Sequence, residues 1–122
     1  MRPAIGDVWG AIIAELPEGP ARDAAIVRRA LGIERYGVPL GMRDLETARQ
    51  DLAEEMLDAA AYGVETAAIL AAQRGEAEQV DLLTYDAAEH LRRATDGEHD
   101  VRIGFAIGRA VRKLATLKRG GA

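Results

Sequence analysis

The stretch from Asp44 to Gln73, DLETARQDLAEEMLDAAAYGVETAAILAAQ, is the strongest structural signal in the chain. Asp44 suits the cap of a helix, Glu46 favours its first turn, and no proline interrupts the remaining residues. Leu45, Ala48, Leu52, Met56, Ala59, Gly63, Ala67 and Leu70 recur at three- and four-residue steps, which predicts one long amphipathic helix with those residues inward. Asp51, Glu55, Asp58 and Tyr62 form a second row beside that stripe. At the helical advance per residue the row falls within an arc of roughly 60°. Glu54 and Glu65 point further out. A carboxylate opposite the core is simply solvated, as most acidic helix faces are. One at the edge of the apolar stripe can turn against a neighbouring helix, where crowded like charges favour proton uptake or a hard divalent cation.

The same periodicity recurs on both sides of this stretch. Residues 3–16 place Ile5, Val8, Trp9, Ile12, Ile13 and Leu16 on one face of a first helix, which Gly6 and Gly10 make dependent on a packing partner. Trp9 reads as a core or subunit-interface anchor. A second helix is expected from Ala21 to Ile33, with Ile26, Val27, Ala30 and Leu31 inward. A turn is expected next, over Glu34-Arg35-Tyr36-Gly37-Val38-Pro39-Leu40-Gly41, either a binding loop or a rigid connection with Tyr36 and Leu40 plugging the core. Beyond the central stretch, Glu76 to Thr95 carries a stripe of Val80, Leu83, Ala87, Leu91 and Ala94, flanked by Asp86 and His90. The spacing favours a packed histidine bonded to Asp86 over a ligand or proton carrier. Residues 96–100 read as a turn, with Asp100 capping a last helix whose Ile103, Ile107, Ala110, Leu114 and Leu117 face inward.

Composition narrows the classes. A chain of 122 residues fits one domain, 1–122, and aromatic residues at 4% with only four prolines suit helices. The absence of cysteine removes disulfides and thiolate metal sites and fits a reducing cytoplasm. No signal peptide or membrane span is expected. The net charge of −4 argues against a general nucleic-acid binder, although the segment from Val101 onward carries six basic residues and no acidic one. The fold expected is therefore all-α, four long helices plus an N-terminal helix in a bundle completed by dimerisation.

One resemblance bears on function. The order Arg28-Arg29, Gly32, Glu34-Arg35-Tyr36-Gly37-x-Pro39-Leu40, Arg43-Asp44 and Asp51-x-x-x-Glu55-x-x-Asp58-x-x-x-Tyr62 resembles small helical proteins of bacteriophage genomes. Those are grouped near the MazG-like all-α nucleoside triphosphate pyrophosphohydrolases. The resemblance covers about residues 28–62. It implies an enzyme that uses Mg²⁺, or Mn²⁺ in its place, to split a nucleoside triphosphate into monophosphate and pyrophosphate. Under it, Glu55, Asp58, Asp51, Glu34, Asp86 and Glu89 are the candidate metal ligands. Glu54, Glu55 and Asp51 support catalysis, while Arg35, Tyr36 and Tyr62 contact substrate. Hard oxygen ligands around such an ion suit phosphate chemistry. Two positions depart from the family pattern: Asp58 is one methylene shorter than the family's glutamate, and Asp86-x-x-Glu89 reverses the order of its second pair. The rival readings are a catalytically silent nucleotide-binding or protein-interaction scaffold and a module whose acidic face docks a basic partner.

Overall fold

Asp44 fixes where the long helix begins. One of its carboxylate oxygens accepts the Thr47 backbone N–H at 2.9 Å and the other accepts the Thr47 hydroxyl at 2.9 Å. These bonds hold the Asp44 carboxyl below the ordinary aspartate value. The helix they start runs from Leu45 to Ala72 without a break. The computed structural model describes residues 4–73, 76–95 and 100–120. Among these residues are α1 (Val8–Glu15), α2 (Pro20–Tyr36), α3 (Leu45–Ala72), α4 (Ala77–Ala94) and α5 (Val101–Gly120). The described part of the chain is all-helical, four long helices behind a short first one, as the periodicity predicts. No described helix is long and apolar enough to cross a membrane. The expected turn over residues 96–99 and the start of the expected first helix at Pro3 lie outside the described residues.

Internal packing divides the chain, within α3, into a first unit, Met1–Ala48, and a second, Arg49–Ala122. In the first unit α1 packs on α2. An isolated antiparallel bridge pairs Ile5 with Met42, the Ile5 N–H donating to Met42 O at 2.9 Å and the Met42 N–H to Ile5 O at 2.7 Å. The Val8 N–H adds a bond to Leu40 O at 2.8 Å. The expected helix over 3–16 is therefore shortened at its start. Residues before Asp7 pair with the segment at Met42 instead of coiling, and Gly6 turns the chain at φ 80°.

The second helix is longer than predicted. Glu34, Arg35 and Tyr36 form its last turn and not a loop. The stop is Gly37, whose φ of 80° and N–H bond to Ile33 O at 2.7 Å make a left-handed C-cap, with Pro39 two residues on. A glycine in that role sits just past the final turn, so the helix continues up to it.

The largest difference lies in which faces are covered. Among the described residues the buried ones are Ala25 and Gly41 in the first unit and Ala60, Ala67, Ala68, Ala87, Val111 and Ala115 in the second. Ala67 and Ala87 belong to the predicted stripes. Leu45 and Leu52 on α3, Ile26, Val27, Ala30 and Leu31 on α2, and Leu114 and Leu117 on α5 are exposed, against the inward placement that their spacing predicts. Tyr36 and Leu40 are exposed as well and plug no core. α3 and α4 meet through small side chains: a Cβ on Gly63 of α3 would lie 3.4 Å from the Ala87 Cβ of α4. Alanine and glycine allow such close approach, and the bulkier aliphatics then occupy a different arc of each helix.

Candidate functional site

The predicted carboxylates sit on α3 as an outward row. Asp51 is half-buried, while Glu54, Glu55 and Asp58 are exposed, and Tyr62 is 67% exposed. The Tyr62 carbonyl accepts the Thr66 hydroxyl at 2.8 Å, a bond within the helix that leaves the phenol uninvolved. Glu34, Arg35 and Tyr36 are exposed on the last turn of α2 in the first unit. There the Arg35 guanidinium stands 5.3 Å from the Tyr36 ring centre, a cation–π pair.

On α4, Asp86 is exposed, and Glu89 is held by Arg92. The Arg92 Nη2 donates to Glu89 Oε2 at 2.8 Å and its Nε to Oε1 at 3.3 Å. This two-point grip, with Glu89 as its first cause, raises the Arg92 pKa further. His90 donates from Nδ1 to the Asp86 backbone carbonyl at 2.6 Å. The expected bond between His90 and Asp86 is thus made to the main chain of Asp86, one turn back.

A divalent cation sets a strict test for the candidate ligands, since Mg²⁺ requires several oxygens converging at short range. Among the described residues no three carboxylate or imidazole groups stand together so as to hold a metal ion. Among the described residues, then, the candidate ligands form no such cage. The α3 spacing accounts for this: Asp51, Glu55 and Asp58 succeed one another along a helix edge, so they fan outward unless another surface folds them in.

Two features go beyond the sequence-based expectations. The first is an open apolar groove of about 980 Å³ in the second unit, between Leu57, Ala61 and Val64 of α3 and Ile107, Leu114 and Leu117 of α5. Leu57 and Val64 belong to none of the predicted stripes. Their signal is a second apolar periodicity one step out of phase with the first.

The second feature is the Asp7 cluster of the first unit. Asp7 caps α1 by accepting the Gly10 N–H at 2.9 Å and takes a 2.8 Å ion pair from Arg29 of α2. Both bonds favour the ionised carboxylate, the Gly10 N–H most, and hold its pKa below the usual 3.8. Because the folded value is the lower one, this contact contributes at pH above 3.8 and is lost as the pH falls through the folded value. In an NMR titration the Gly10 amide shift should therefore inflect below pH 3.8, and the inflection should vanish in Asp7→Asn. A midpoint at or above that value would contradict the cap. Compared with protein-family models, with curated proteins and with solved structures, the chain gives no match.

Proposed function

We propose that this chain is a nucleoside triphosphate pyrophosphohydrolase of the MazG-like, phage or prophage type, acting as a cytoplasmic homodimer. The reaction adds water across the bond between the α and β phosphates and releases a nucleoside monophosphate and pyrophosphate. The observation that carries the reading is the carboxylate row of Asp51, Glu54, Glu55 and Asp58 along one unbroken helix, with Asp51 already half-buried. The resemblance over residues 28–62 supplies the chemistry, including its Mg²⁺ or Mn²⁺ requirement. Arg35 and Tyr36 offer a cation and an aromatic face for phosphate and base, side by side.

The full-length chain, given Mg²⁺ and a panel of ribo- and deoxyribonucleoside triphosphates, should release pyrophosphate from at least one of them. Glu55→Gln should lower that rate by about a hundredfold or more, the scale on which removal of one electrostatic group acts in an active site. Absence of turnover across the whole panel would remove the proposal.

A second reading is favoured by the exposure of Glu54, Glu55 and Asp58 and by the engagement of Glu89 with Arg92. In it the scaffold binds a nucleotide or a protein without catalysis. Nucleotide would then raise the melting temperature while no pyrophosphate appears.

A further inference from the structure

The groove between α3 and α5 has two walls of opposite charge. The α3 wall carries Glu65 and the α5 wall carries Lys118, with apolar side chains between them. The two helices also differ in composition. From Leu45 to Ala72 there are six acidic residues against the single cation Arg49, whereas α5 has six cations and no acid. Among the described residues Arg109, Arg112, Lys113 and Lys118 form no ion pair. Leu57, Leu114 and Leu117 at the groove remain 42%, 43% and 65% exposed.

We infer that this groove is the seat of a second copy of the same chain, related by a two-fold axis running along the groove. That operation sets α3 of one copy against α5 of the other and brings Glu65 opposite the partner's Lys118, twice per dimer. A closed isologous interface needs one patch that complements itself under rotation, and a groove with an acidic wall, a basic wall and an apolar floor has that property. The leucines lose their water, and Lys118 of each copy finds Glu65 of the other. A basic partner protein would satisfy Glu65 on the α3 wall but would face Lys118 on the other. An acidic one would meet the reverse problem. Only a partner carrying both signs in this register suits both walls, and the chain itself is such a partner. The inference rests on the homodimer within the proposed function and names its surface.

Sedimentation equilibrium on the full chain reads mass and not turnover, so it separates this inference from the catalytic one. The mass of two chains is expected at micromolar concentration. Leu117→Glu should give the mass of one chain with its helical circular dichroism retained. The exposed charge reversals Glu65→Lys and Lys118→Glu, which leave intrachain packing alone, should each weaken the dimer about tenfold or more. Their combination should recover most of the loss. A monomeric wild type, with the groove closed by another part of the same chain or left open, overturns the inference. So does a dimer indifferent to the charge reversals. A groove-mediated dimer without pyrophosphate release would leave this inference standing and remove the hydrolase.

Discussion

Replacing Ala115 by leucine should destabilise the second unit by about 2–3 kcal/mol, the upper part of the range for overfilling a packed interior. Ala115 on α5 and Ala67 on α3 are both completely closed to solvent. Three further carbons at either site have no space unless the helices separate. Separation would also disturb the close approach of α3 and α4 at Gly63 and Ala87. Ala67→Leu should behave in the same way. Leu82→Ala on α4 is the comparison, because a side chain already 58% exposed loses little packing when truncated. Urea unfolding monitored by circular dichroism would measure all three. If Ala115→Leu were neutral, small-residue contact would not be what joins these helices.

The same packing explains what the sequence discloses and what it withholds. The helices themselves are legible: Asp44 and Asp100 act as the caps their residue type predicts, and α3 holds its form across 28 residues. The end of α2 is less so, because Gly37 reads equally well as part of a loop that starts before it. A left-handed glycine cap sits after the last helical turn. The buried faces are hidden for another reason. A stripe search weights leucine and isoleucine, so it points α3 inward along Leu45 and Leu52 and α5 inward along Leu114 and Leu117. Within one chain the close contacts belong to alanine and glycine, whose low hydrophobicity conceals them in the pattern. The leucines mark a second apolar face.

The carboxylate row is legible as a row and nothing more. Spacing along a helix fixes which residues share an edge, and Asp51, Glu54, Glu55 and Asp58 do run along one side of α3. Convergence depends on what faces that edge, and a single helix does not encode it. Charge does encode something of it. An acidic α3 and, further along, a cationic α5 are visible in the residue order. A cation near a helix C-terminus already suits its own helix end, so the residue order alone gives it no second role. The groove between the two helices, with Glu65 on one wall and Lys118 on the other, gives the asymmetry a further use.

In the first unit the most damaging small change is expected at Gly41, which is buried beside the bridge of Ile5 and Met42. A Cβ there would stand 2.9 Å from the Ala4 Cβ, 3.1 Å from Gly6 O and 3.1 Å from Ile5 N. Two of those neighbours are main-chain atoms, which cannot swing aside as a flexible side chain would. The segment around Ile5 must withdraw, and the bonds between Ile5 and Met42 and from Val8 to Leu40 lengthen or break with it. At about 1 kcal/mol for each of three hydrogen bonds, Gly41→Ala should cost roughly 2–3 kcal/mol. The loss would register as faster hydrogen exchange at the Ile5, Val8 and Met42 amides. Gly32→Ala on α2 is the opposing control: its Cβ would meet nothing within 4 Å, and alanine in a helix interior stabilises by about 0.5–1 kcal/mol over glycine. Equal exchange at those three amides in wild type and Gly41→Ala would mean that the bridge does not anchor the start of α1 in solution.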